Sequence, residues 1–204
     1  MFVVCRRMST IEATSFLGTV EPTDSMRDRD VEQVGHVMNL SRTWAHLPDL
    51  HKGLMDLMAQ AAAAASLTFR QRGVLVVACA STLGDSYCSL VWGTRLANAA
   101  SPEVAGGVLR GDDEPLSETD RALARWARAV TRDPNATGPA DVQELRAVGY
   151  DDARILALTT FVALRAAFAS VNDALGVRPD REATEAAPPA VRDAVSYGRP
   201  AATT

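Results

Sequence analysis

The sequence predicts an all-α fold, organised as a single helical domain. Three observations carry this expectation. Apolar residues make up 47% of the 204-residue chain while aromatics make up only 5%. With alanine abundant, that mixture suits close helix packing better than a sheet. Second, apolar side chains recur at helical spacing, as in the stripe Ile155, Leu158, Val162, Ala166 and Ala169. Third, helix start and stop signals punctuate the chain. No trustworthy alternating strand pattern occurs. The run "VLVVACA" at 74–80 would suit a buried strand, but a capping box precedes it and Gly84 follows it.

In chain order, residues 1–30 show no periodicity, and "EPTDSMRDRD" reads as a solvated segment. A first helix is expected from about Val31. Pro48 suits the first turn of the next, "PDLHKGLMDLMAQAAAAAS". "TFRQ" is a capping box in which Thr68 caps and Gln71 reaches back. It opens a helix over 69–83 with Val74, Leu75, Val77 and Ala78 turned inward. Gly84 suits the left-handed position after a helix, and Asp85 the N-cap of a helix over 86–99. "SPEVAGGVLRGDDEPLSETD" reads as a loop-rich connection with room for one short helix. "SETD" then starts the helix continued by "RALARWARAVT". Pro139 and Gly149 bracket another helix, and Asp151 caps a long last one, "DARILALTTFVALRAAFASVNDALG". The domain is thus expected over 31–180, between a poorly structured segment 1–30 and a tail 181–204 with one short helical piece.

Composition and motifs narrow the function classes. A net charge of −4 offers no basic footprint for nucleic acid or an anionic membrane. The runs at 61–65 and 74–80 are too short to cross a bilayer. "MFVVCRR" lacks the long apolar segment of a signal peptide, and Met8 is an equally good start, which would leave Cys5 outside the protein. The odd set Cys5, Cys79 and Cys88 points to a reducing cytoplasm rather than a disulfide scaffold. Cys79, inside an apolar run, reads as an inert core residue. No zinc spacing and no Gly-rich phosphate loop is present, so no metal and no cofactor are expected.

The chemistry-bearing stretch is "GDSYCSLVWG", residues 84–93. Cys88 falls in a helix's first turn, where free N–H groups and the helix dipole favour a thiolate. Asp85 works against that, because its carboxylate would occupy those N–H groups and add a like charge. As a cap Asp85 is ordinary; beside Cys88 it is also a candidate acid-base residue. His36, His46 and His51 all lie upstream. His46 and His51 are badly spaced for one helical face, and Pro48 lies between them. Arg70, Arg72 and Arg95 flank the motif helices and are candidate partners for a substrate carboxylate.

The order of these elements resembles the carboxymuconolactone decarboxylase superfamily, and within it the alkylhydroperoxidase AhpD-like branch. The resemblance covers about residues 31–200. It runs through "GHVMNLSRTWAHLPDL", "LTFRQRGVLVVACASTLGDSYCSLVWGTRLA", the stretch from "ALARWARAVT" to "VNDALGV", and "SYGRP". It implies an all-α fold that assembles into homo-oligomers, as dimers, trimers or hexamers. It also implies, in active members, two cysteines separated by two residues, a histidine one turn on, and a glutamate on the preceding helix. There one thiolate attacks the peroxide, the other thiol resolves the sulfenic acid, and the histidine and glutamate relay the proton.

Carried onto this chain, the glutamate position falls on Gly73, the first cysteine on Asp85, the second on Cys88 and the histidine on Trp92, with Tyr87 just before the cysteine. Three positions depart from the pattern, and neither Gly73 nor Trp92 can exchange a proton. A resolving partner for Cys88 would be Cys79, another subunit or an external thiol.

Two functions follow. One is a thiol-dependent hydroperoxide reductase with an altered site at Cys88 and Asp85, which expects a partly exposed Cys88 with a lowered pKa and an acceptor from elsewhere, such as His46 or His51. The other is a catalytically inactive relative that binds a ligand or partner, which expects Cys88 buried under Trp92 with Asp85 as a cap. A decarboxylase-like acid-base enzyme is a third alternative and needs a histidine facing the pocket. The pocket is expected at Gly73, Tyr87, Trp92 and His46, with a small hydroperoxide or carboxylate as ligand.

Overall fold

A computed structural model describes residues 14–202. Eleven α-helices and one 3-10 turn account for the regular structure, and no strand occurs among the described residues. In order they are α1 (Asp24–Val34), α2 (Asn39–Trp44), α3 (Pro48–Ala64), α4 (Phe69–Leu83), α5 (Ser86–Ala99), α6 (Pro102–Arg110), α7 (Glu118–Arg132), α8 (Pro139–Ala147), α9 (Asp152–Ala174), α10 (Arg181–Ala186) and α11 (Pro189–Arg192).

Helix α4 is the axis of the bundle. Residues 74–80 are all buried, because α5, α6, α7 and α9 pack around it. Each fully buried valine or leucine there contributes about 1.5–3 kcal/mol relative to exposure. The Thr68–Gln71 capping box closes reciprocally at the start of α4, and Gly84 ends it at φ 75°. Asp85 then caps α5 at once. This tight junction puts the first turn of α5 against the bundle interior. Helix α9 is long and apolar enough to cross a membrane. Its buried face packs instead on α3, α4 and α7, with Arg165 in mid-helix.

Both ends of the chain differ from the sequence expectation. The first helix starts at Asp24 rather than near Val31. Thr23 caps it, and the buried residues Met26 and Asp30 hold an otherwise solvated helix in place. Asp30 accepts from the Met38 N–H at 3.1 Å, which fixes the turn into α2. The C-terminal stretch carries two short helices and is part of the core. Val191 is fully buried where Gly93 leaves room: a Cβ at Gly93 would stand 2.7 Å from Val191 Cγ1. Gly198, at φ 73°, lies against the Gly84 carbonyl. Ser86 donates to the Arg199 carbonyl at 2.8 Å, and the Tyr197 hydroxyl pairs with Ser89 at 3.0 Å. The chain end therefore clamps the α4–α5 junction.

Candidate functional site

A cavity of about 560 Å³ opens between α1, α2, α3, α4, α5 and α9. Cys88, Tyr87 and Trp92 of α5 line it, together with Arg165 and Phe161 of α9 and the methionines Met55 and Met58 of α3. Four arginines line it, Arg29, Arg72, Arg95 and Arg165, and no carboxylate does.

Cys88 is the third residue of α5 and 4% exposed. Its N–H donates to Asp85 Oδ1 at 2.9 Å, as a first-turn cap requires. Its Sγ accepts from Arg165 Nη2 at 3.3 Å. Burial pushes the thiol well above its ordinary range; Asp85 adds to this and Arg165 opposes it. Asp85 is itself fully buried, and burial raises its carboxyl despite the hydrogen bonds from Cys88. It caps from behind the wall rather than lining the cavity. The helix-terminus advantage foreseen for Cys88 is thus taken up by Asp85, and desolvation decides the protonation state. Cys79 is buried with a free thiol.

Arg165 is 7% exposed. Its Nη1 lies 3.9 Å from Met58 Sδ and its Nη2 reaches Cys88, so its polar partners are two sulfurs. The Nε has no hydrogen-bond partner, and the guanidinium spans the rings of Trp92 (5.5 Å) and Phe168 (5.2 Å). The Arg95 guanidinium lies over the same Trp92 ring at 5.0 Å and donates to Gln33 at 3.0 Å. Burial and then the Arg165 charge pull Arg95 below its usual range. Arg72 lies over Phe69 at 5.5 Å, and its Nε is unpartnered too. Among the described residues none of the four forms an ion pair.

Of the sequence-derived pocket positions, Tyr87 and Trp92 line the cavity; Gly73 and His46 do not. Gly73 faces Leu96, whose Cβ and Cδ1 would both sit 3.3 Å from an added Cβ, so helix packing occupies the place where the sequence resemblance implied a glutamate. His46 is exposed, with Nε2 2.8 Å from the Gly18 carbonyl. His51 lines the cavity instead, tilted against Trp44 at 5.3 Å between ring centroids. Burial, with Arg29 adding to it, pushes it down to about 4, so it is neutral at pH 7. Tyr87 is a structural strut: its hydroxyl donates to Asp180 and accepts from the Leu40 N–H at 3.4 Å. Arg72 and Arg95 are on the cavity as foreseen, whereas Arg70 pairs with Asp120 at 2.8 Å. Sequence reasoning missed Arg165. The available signal was a charged residue three positions after Val162, next to the apolar stripe of α9.

Two solved structures share this architecture. The fold is that of the AhpD core. One neighbour is an alkylhydroperoxidase AhpD core, an uncharacterized peroxidase-related protein from Ralstonia eutropha JMP134. It is 24% identical, with a TM-score of 0.72, over 83% of this chain and 94% of that one. The other is an uncharacterized peroxidase-related protein from Silicibacter sp. TM1040, 18% identical, with a TM-score of 0.75, over 86% of this chain and 96% of that one. No protein-family model matches the chain, and no curated protein matches its sequence.

Proposed function

We propose that this protein binds a small, largely apolar organic anion in the Cys88 cavity and that it does not reduce hydroperoxides through a thiolate. The observation that carries this reading is Arg165. A buried guanidinium whose polar partners are two thiol or thioether sulfurs is costly, and an anion in the cavity offsets that cost. Volume and lining fit the range of small-molecule sites, about 300–1,000 Å³ with a few convergent polar groups. The absence of a proton acceptor at Trp92, the crowding at Gly73 and the raised Cys88 thiol all argue against the peroxidase arrangement.

One observation favours the alternative, a hydroperoxide reductase with a single cysteine: the 3.3 Å contact from Arg165 would stabilise a Cys88 thiolate once formed. A homo-oligomer suits either reading. Leu50 and Leu57, a heptad apart on α3, are both exposed and would pack against a second copy.

The test pairs two assays on the full chain. 1-Anilinonaphthalene-8-sulfonate, an apolar anion, is titrated into wild type and Met58→Trp, whose indole would fill the cavity. Consumption of cumene hydroperoxide with dithiothreitol is compared in wild type and Cys88→Ser. The reading expects saturable dye binding lost in Met58→Trp, and equal slow turnover in wild type and Cys88→Ser. Turnover that depends on Cys88, or dye binding indifferent to Met58→Trp, would overturn it.

A further inference from the structure

We infer that the anion is a carboxylate on an apolar chain, held head-inward against Arg165 at the floor of the cavity; this rests on the anion-binding reading above.

The polarity of the cavity sets the orientation. Its buried polar lining includes Arg165 and Ser41. Ser41 is fully buried, and its hydroxyl has no hydrogen-bond partner. At the other end Phe69 is 47% exposed and marks the mouth, with the Arg72 guanidinium over its ring. Between them Leu40, Met55, Met58 and Phe161 supply an apolar passage. Methionines adapt to a flexible chain at little cost in packing. A ligand entering tail first would place a hydrocarbon end against a buried cation and a buried hydroxyl, desolvating both.

The free groups also select the head. Each terminal nitrogen of Arg165 makes one contact to a sulfur and keeps a second N–H, and the Nε–H has no partner. An unpartnered guanidinium N–H on α9 and an unpartnered hydroxyl on α2, both lining the cavity, suit a planar monoanion that accepts directed N–H and O–H bonds. A phosphate dianion would ask for more charge at depth than these groups supply. His51, which also lines the cavity, is neutral at pH 7 and adds no charge. Asp85 lies behind Cys88 and forms no ion pair with Arg165, so it does not take the carboxylate's place. The Arg95 and Arg72 cations nearer the mouth draw the anion in and keep dications out.

The probes are octanoate, 1-octanol and octyl phosphate, titrated calorimetrically into the full chain at pH 7. Octanoate is expected to bind at least tenfold more tightly than octanol, and octyl phosphate no more tightly than octanoate. Arg165→Met should bring octanoate within threefold of octanol, while Arg95→Met should leave most of the preference. Octanol matching octanoate, or octyl phosphate exceeding it, overturns the carboxylate head but leaves the cavity as a binding site. Preference lost in Arg95→Met and kept in Arg165→Met reverses the orientation and overturns the inference. Binding of none of the three probes, together with no dye binding, removes the anion-binding reading itself. Should Arg165→Met fail to fold by circular dichroism, Ser41→Ala replaces it, with octanoate weakened at least threefold and octanol unchanged. An unchanged octanoate affinity in Ser41→Ala would then overturn the inference.

Discussion

Two buried charges face each other across Cys88, and they are solved in opposite ways. Asp85 is enclosed on the α4–α5 junction and spends one oxygen on the Cys88 N–H, so its carboxyl is part of the helix start. Arg165 is also buried but has sulfurs for partners and an open cavity beside it. The same desolvation gives a structural group on one side and a ligand-seeking group on the other. What separates them is whether the local backbone offers a partner. A cap carboxylate finds its N–H three residues on, whereas a mid-helix arginine on a buried face finds none in its own helix.

The largest effect is expected at Gly73, on the helix that ends at this junction. Placing there the glutamate that the sequence resemblance implied, as Gly73→Glu, drives a carboxylate against Leu96. It is expected to cost more than about 3 kcal/mol or prevent folding, measured by urea denaturation. A stable Gly73→Glu protein would mean that the α4–α5 contact is looser than described.

Removing the cap is the next largest perturbation. Asp85→Ala should destabilise by about 1–2 kcal/mol, read from the urea midpoint. The same change removes a negative neighbour, so the pH midpoint of Cys88 alkylation should fall relative to wild type. A midpoint that rises would show that Asp85 does not act on the thiol as a like charge.

The cavity wall gives a pH signature. The His51 imidazole is depressed from 6.5 to about 4 in the folded protein, mainly by burial. A depressed group contributes stability that is present above its unfolded value and lost as pH falls through the folded one. Stability should therefore drop between about pH 6.5 and about 4, and His51→Gln should flatten that drop. Asp173, raised to about 6, acts with the opposite sign: its contribution is present below 3.8 and lost as pH rises through 6. The difference between wild type and His51→Gln is accordingly the quantity to follow. No difference in slope would place a charged imidazole in the cavity. Cys88→Ser should have the smallest effect, within about 1 kcal/mol in stability and with unchanged dye binding.

The bundle from α3 to α9 was legible because its signals are local. Thr68, Gly84, Asp85, Pro139 and Asp151 each mark a boundary through contacts within a few residues. The start of α1 was not legible, since its helix is nearly all polar and is held by Met26 and Asp30 reaching inward. The C-terminal clamp was invisible for a different reason. Val191 against Gly93 and Gly198 against Gly84 are distant in sequence, and each looks ordinary alone. The site divides the same way. Cys88 in a capped first turn could be read from "GDSYC", but the partners that define its chemistry come from α9. Arg165 lies beside the apolar stripe of α9 rather than in it, and its partners Met58 and Cys88 are distant in sequence.

The most direct measurement is the reaction of native protein with a slight excess of cumene hydroperoxide at pH 7, with oxidation localised to Cys88 by peptide mass spectrometry. A desolvated, protonated thiol predicts that Cys88 stays reduced for hours in the folded protein and oxidises only when urea exposes it. Oxidation of Cys88 within seconds, with the fold intact, would contradict the account and return the cavity to thiol chemistry.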